Sequence, residues 1–111
     1  MADYSLNTLF GIPLYHGNTR LDPVEVDYLK NQKFDRLVVD NGYSTSNKQI
    51  LRDNPNTQNI KQSIEQHLLN YLVDCLHVAQ GTQFEMVTSW VVKHDPGDWS
   101  QEHDHTNSVL S

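Results

Sequence analysis

Two histidines separated by one residue, His103 and His105, are the side chains in this sequence best placed to bind a metal ion. Successive side chains of an extended strand alternate between its faces, so residues two apart project to the same side. Neutral imidazoles are ligands for iron, zinc, copper and nickel. If the segment is extended, the pair can reach one cation, whereas Asp104 points to the opposite face and is a candidate to support the ligands.

The same residues also have ordinary structural interpretations. A His-x-His pair is a weak signal alone, because His103–His105 also fits a plain polar loop. A third imidazole, His94, precedes the Pro96–Gly97 turn and would complete a zinc or copper site only if the hairpin folds back. Trp90 is expected in the core. Trp99 lies in a turn, where it either covers a pocket or packs on the surface.

A strand is predicted directly before the histidine pair, because the hydrophobic period changes to two after residue 83. One face of this segment is mostly apolar and carries Phe84, Met86, Thr88, Trp90 and Val92. The alternation predicts a strand of about ten residues from Phe84 to Lys93. Asp95–Asp98 has the composition of a turn. The expected order is therefore strand, turn and then the metal-ligand pair.

The strongest helical pattern lies upstream of that strand. Apolar residues recur at spacings of three and four from Ile60 to Ala79, which predicts an amphipathic helix of about five to six turns. Asn54–Pro55 precedes it as a helix start, and Gly81 is expected to end it. His67 and His77 lie on this helix, and we expect them at its boundary or surface rather than at a metal.

An earlier helix is predicted from Asp22, a capping residue followed by Pro23. Glu25 stands three residues after the cap, and the residues expected to face the core are Val24, Tyr28 and Leu29. The helix should fade between Asn31 and Lys33.

The rest of the chain gives shorter signals. Residues 6–15 suggest one short edge or end strand, because Pro13 cannot donate to a ladder. Residues 36–40 are a possible strand, residues 41–47 have turn chemistry, and residues 48–52 fit a helical turn. Helices followed by the first strands of a sheet indicate one α+β domain over residues 1–111.

Composition excludes several classes of function. The 111 residues carry a formal net charge of -6, and the eight Lys and Arg residues are scattered. Without a basic stripe, nucleic-acid binding is not expected. No stretch is apolar enough for a membrane helix. The single cysteine, Cys75, indicates a cytoplasmic, reducing compartment and is expected to be a buried, inert thiol.

The order of these features resembles the 2-oxoglutarate- and Fe(II)-dependent oxygenases common in marine bacteriophages and bacteria. The most specific part is a His-x-His-x-Asn-Ser-x-Leu-Ser motif, which covers residues 103–111. The other matching features are a Leu-Phe-x-x-Pro-like strand, a Gly-aromatic-Ser segment, a Ser-Trp strand and a Pro-Gly-Asp turn (Leu9, Phe10, Pro13; Gly42, Tyr43, Ser44; Ser89, Trp90; Pro96, Gly97, Asp98).

The resemblance implies a double-stranded β-helix (jelly-roll) core preceded by helices, with Fe(II) at one mouth of the barrel. In such an enzyme 2-oxoglutarate chelates the iron, dioxygen binds beside it, and an unreactive C–H bond is hydroxylated. His103 matches the first metal ligand and His105 the position of the second. Asp104, Trp90 and Asn107 are then candidates for the pocket or for support of the ligands.

The family pattern also continues beyond what this sequence contains. Its later strands carry a distal histidine and a basic residue for 2-oxoglutarate, and the sequence ends at Ser111 before them. We therefore expect the N-terminal part of the fold, inactive alone and prone to self-association through exposed strand edges. Two alternatives stay open: a non-catalytic interaction module, and a small zinc or copper protein that uses His94, His103 and His105.

Overall fold

In the part of the chain that the structure describes, the fold consists of two α-helices and two small antiparallel sheets. The structure, a computed structural model, describes residues 3–9, 11–38 and 41–105. A two-stranded sheet pairs β1 with β2, and a three-stranded sheet has the order β3-β4-β5. The predicted α+β class is confirmed. Within the described residues, no helix combines the length and the apolar content that crossing a membrane requires.

The N-terminal segment is a hairpin rather than the single strand expected for residues 6–15. Strand β1 (Tyr4–Leu9) pairs with β2 (Ile12–Gly17) in a register that places Tyr4 opposite Gly17. Gly11 in the turn has φ +81, a conformation that favours glycine and reverses the chain. Pro13 lies in a two-stranded sheet, where both strands are edges, as its missing N–H requires.

A tyrosine–histidine contact attaches the hairpin to the long helix. The Asn18 carbonyl accepts a hydrogen bond of 2.8 Å from His67 Nε2, so this nitrogen carries the proton in the neutral ring. Nδ1 is then the acceptor, and the Tyr15 hydroxyl donates to it at 2.6 Å. Nearby, Tyr4 donates to the Asp74 carboxylate at 2.8 Å, and this hydrogen bond raises the pKa of the Tyr4 phenol.

Helix α1 (Pro23–Lys30) begins where the sequence indicates, with the Asp22 carboxylate accepting from Val24 N at 2.9 Å. Glu25 is not part of a capping box. Its buried carboxylate accepts from the backbone N–H groups of Asn59 and Ile60, at 3.0 and 2.8 Å, and so caps the second helix. Val24 is exposed, contrary to expectation, because this side of the short helix faces solvent.

Helix α2 (Gln58–Asn70) follows a 3-10 turn at Pro55–Thr57 and continues into a π-helical turn at Tyr71–Cys75. Asn54 accepts from Asn56 N at 3.1 Å, so the predicted start is confirmed. The predicted end at Gly81 is wrong. The wide turn closes with Leu76 N donating to Tyr71 O, and His77 takes the left-handed conformation (φ 49) that glycine usually supplies.

The three-stranded sheet departs most from the predictions. Strand β3 (Phe34–Arg36) pairs with β4 (Tyr43–Thr45), which was expected to be turn. Gly42, with φ +110, makes the turn just before β4. Strand β5 covers only Val92–Lys93, so the predicted strand from Phe84 to Lys93 is wrong over most of its length. Residues 39–40 of the possible strand 36–40 lie outside the described residues.

Side chains and loop backbone, rather than a ladder, hold the segment before β5. Ser89 forms an isolated bridge with Gln49, Ser89 N donates to the Lys48 carbonyl, and Ser89 Oγ accepts from Leu51 N. The Gln49 side chain donates to the Val87 carbonyl at 2.7 Å. Residues 45–52 bond to this segment through side chains and a few separate backbone atoms instead of a regular ladder. A continuous strand therefore does not form.

A small core lies between α1, α2 and loop 45–52. Its buried apolar side chains are Ile50, Leu51 and Ile60, with Tyr28, Leu29, Ile64 and Met86 packed against them. Thr45 and Thr57 are fully buried beside this cluster, and Thr57 Oγ1 donates to the Ile50 carbonyl. Trp90 was expected here, but its side chain is 40% exposed.

Candidate metal centre

The imidazole rings of His103 and His105 lie side by side. Their ring centres are 5.1 Å apart and their planes differ by 59°. The predicted turn at Asp95–Asp98 is confirmed, because Asp98 N donates to the Asp95 carbonyl. Residues 99–105 follow this turn and form neither a helix nor a strand. The pair is therefore brought together by an irregular segment instead of the strand that the spacing suggested.

One ring of the pair has a defined tautomer. His103 Nδ1 lies 2.9 Å from the Gln101 carbonyl oxygen, which can only accept, so Nδ1 carries the proton. In the neutral imidazole Nε2 is then the lone-pair nitrogen. Metal-binding histidines usually donate one ring N–H to a carbonyl or carboxylate and bind the metal through the lone pair of the other ring nitrogen.

Trp90 places an indole beside the pair. Its ring centre is 5.9 Å from that of His105, with planes 31° apart. Ser89, the preceding residue, is fixed to loop 48–51 by its backbone and hydroxyl, so the indole projects from an anchored point. In the Ser-Trp dipeptide, the serine is therefore hydrogen-bonded to loop 48–51, and the tryptophan ring lies beside His105.

A groove of about 1540 Å³ extends from this indole along α2. One wall is the helix, the other is the segment Thr82–Trp90, and His105 lies at its margin. Several large apolar side chains along it are exposed, among them Leu69, Phe84, Val87 and Trp90. The imidazole pair therefore adjoins an open apolar surface.

The remaining predicted site residues fall in different places. Asp104 and its neighbour Glu102 are exposed and add negative charge beside the rings. Asn107 lies outside the described residues, as do Phe10 and the rest of the motif from Thr106 to Ser111.

His94 does not join the pair. A side chain on Gly42 would collide with its ring, and His94 Nε2 lies 3.2 Å from Ser100 Oγ. In the described parts of the chain, no group of three or more His, Cys, Asp or Glu residues could hold a metal ion. In the residues that the structure describes, two imidazoles therefore lie together without a third such group.

The sequence did not reveal which side chains hold the groove wall, the segment Thr82–Trp90, in place. Gln49 and Arg52 bind the carbonyls of Val87 and Met86, at 2.7 and 3.3 Å, and Arg52 also pairs with Glu85 at 3.1 Å. The polar composition of residues 46–49 was the one sequence signal that this loop forms hydrogen bonds to the backbone of another segment.

No protein-family model matches the chain, and neither the curated proteins nor the solved structures give a significant match. Residue chemistry and geometry are therefore the basis for a functional conclusion.

Proposed function

We propose that this chain binds a divalent transition metal through His103 and His105, as the first ligand motif of a non-haem Fe(II)- and 2-oxoglutarate-dependent oxygenase of the hydroxylase type. The proposal includes the finer fold, in which the helices precede a jelly-roll core. The convergence of two imidazoles, one with its Nδ1 proton held by a carbonyl, is the observation that supports it most.

The donor set fits part of such a centre. A mononuclear iron oxygenase holds its metal on three protein ligands and leaves the other positions to cosubstrate and dioxygen. His103 and His105 fit two of these three positions, and the described residues offer no third. If bound, Fe(II) would activate dioxygen, the oxidant of the C–H hydroxylation, with 2-oxoglutarate as the co-reductant that is decarboxylated to succinate.

The chain's own residues have defined tasks in this proposal. The Gln101 carbonyl orients the His103 ring, and the Trp90 indole packs beside the His105 ring. Asp104 and Glu102 attract a cation through their charge. A cytoplasmic compartment, inferred from the single cysteine, would keep iron in its reduced state.

The test is an anaerobic titration with Fe(II) in the presence and absence of 2-oxoglutarate. We expect binding of Fe(II) that 2-oxoglutarate strengthens, with a visible charge-transfer absorbance. The H103A variant should lose this binding, whereas H16A, which removes an exposed histidine of the hairpin, should keep it. Fe(II) binding that is absent, or that is equal in wild type and H103A, would refute the proposal.

A further inference from the structure

The two imidazoles of the pair lie on an exposed segment of the chain. Residues 101–105 are all exposed, so nothing in the described structure separates the two rings from a second macromolecule. Two imidazoles bound to one tetrahedral ion at about 2.1 Å have ring centres about 5 Å apart. The observed 5.1 Å between His103 and His105 matches this spacing before any metal is bound.

Four nitrogen or sulfur ligands are what a closed zinc site requires. The described part of this chain brings no further His, Cys, Asp or Glu into a group with the pair, and His94 is packed on Gly42. The ligands that are missing can come from an identical pair on another copy. A two-fold axis through the ion gives each copy the same contacts, which is the commonest symmetry of homo-oligomers.

The surface beside the pair suits a second copy. Phe84, Val87 and Trp90 are 41%, 63% and 40% exposed along the groove that His105 borders. Contiguous exposed apolar side chains of this kind mark interaction sites. This apolar strip and the ligand segment therefore belong to the same exposed surface, because His105 borders the groove that the strip lines.

The charges make the association depend on the cation. Each chain has a net charge of -6, and the exposed Glu102 and Asp104 flank the ligand pair. Bringing two copies together at this point without a cation places these carboxylates near their counterparts, which repel. A divalent ion bound between neutral imidazoles reverses the sign of the local field.

We propose that His103 and His105 of two copies bind one zinc-class divalent ion through four imidazoles and so form a metal-dependent dimer. The proposal rests on the metal-binding part of the proposed function and names a second copy of this chain as the partner at that site.

The experiment uses the whole chain without a histidine tag and Zn(II) as the probe. Light scattering after size-exclusion chromatography should give 12.8 kDa in chelator and twice that mass with Zn(II). Equilibrium dialysis should give half an equivalent of zinc per chain, and added chelator should restore the monomer.

Variants separate this site from other histidines. H105A and H103A should lose the dimer and weaken zinc binding by more than about 100-fold, since even outer partners of a ligand contribute 10–100-fold. H16A and H94A should behave as wild type. Circular dichroism confirms that each variant is folded, and chelator reversal on the unaltered chain needs no substitution.

Each outcome has a meaning. A monomer with one zinc per chain overturns the dimer and leaves the imidazole pair available for the proposed oxygenase centre. A chain that binds neither Zn(II) nor Fe(II) overturns both proposals. A dimer that persists in chelator, or survives in H105A, also overturns the metal-bridged dimer.

Discussion

Four of the six histidines of this chain form two contrasting groups. His67 and His94 are packed against glycines: a Cβ on Gly17 would lie 2.6 Å from His67 Cε1, and one on Gly42 would overlap the His94 ring. His103 and His105 are exposed, with ring centres 5.1 Å apart and planes tilted by 59°, and His105 borders a groove. The packed group, of which His67 is partly buried and His94 is exposed, contacts distant parts of the chain, whereas the exposed group contacts its own members.

The largest effect is expected where a ring meets a glycine. Gly42→Ala places a methyl group into the His94 ring and 2.8 Å from the Lys93 carbonyl oxygen, and it forces alanine to φ +110, which should lower the free energy of unfolding by about 3 kcal/mol. Gly81→Ala is the control, because that glycine has φ +88 but open space around it, so only about 1 kcal/mol is expected. Urea denaturation measures both. Equal losses would mean that the His94 contact is unimportant.

His67→Ala tests the packed group through its hydrogen bonds. The substitution leaves the Tyr15 hydroxyl and the Asn18 carbonyl without their partner, at a cost of about 2 kcal/mol. Tyr15→Phe removes the bond to His67 and a longer one of 3.3 Å from Asn70 Nδ2 but keeps the bond from His67 to Asn18, and it should lose about 1 kcal/mol. Zinc binding should not change in either variant. A His67→Ala protein that unfolds normally but loses zinc would reverse the assignment of the two groups.

The exposed group should behave in the opposite way. In chelator, His103→Ala should change the free energy of unfolding by less than about 0.5 kcal/mol, as is usual for surface positions. With Zn(II), the wild type should gain stability and the variant should not, because a ligand that binds the native state stabilises it. Thermal unfolding with and without Zn(II) measures the difference, and a strongly destabilised variant in chelator would show that this ring is structural.

The smallest effect concerns Tyr4, whose exposed phenol donates to Asp74. The hydrogen bond raises the pKa of the folded protein's phenol above its ordinary value of 10.0. The protonated form is the one favoured, so its contribution is complete below pH 10.0 and is lost as the pH rises through the raised pKa. The alkaline loss of stability should be slightly smaller in Tyr4→Phe. Identical pH profiles would show that this bond contributes nothing measurable.

Local chemistry made the helix starts predictable. Asp22–Pro23 and Asn54–Pro55 each combine a capping side chain with a residue preset for the first turn, and both begin helices. The Asp95–Asp98 turn was equally readable. These signals depend on neighbouring residues alone, and so a single sequence contains them.

Long-range competition decided the features that the sequence did not reveal. The alternation from Phe84 to Lys93 has a strand period, yet the Gln49 side chain donates to the Val87 carbonyl and the Thr45 hydroxyl accepts from Val91 N. Glu25 has capping-box spacing but caps the other helix. For the site, the spacing of His103 and His105 indicated their proximity, whereas the Gln101 carbonyl, the indole of Trp90 and the groove required the fold.

The hydrogen bonds that hold the groove wall in place have a consequence for how the sequence can vary. Gln49 and Arg52 hold the carbonyls of Val87 and Met86, more than thirty residues away in sequence. Exchanging either side chain would loosen one wall of the groove, although neither residue lies next to that wall in the sequence. The shape of this surface can therefore change through substitutions in a remote loop, while the residues that line it stay the same.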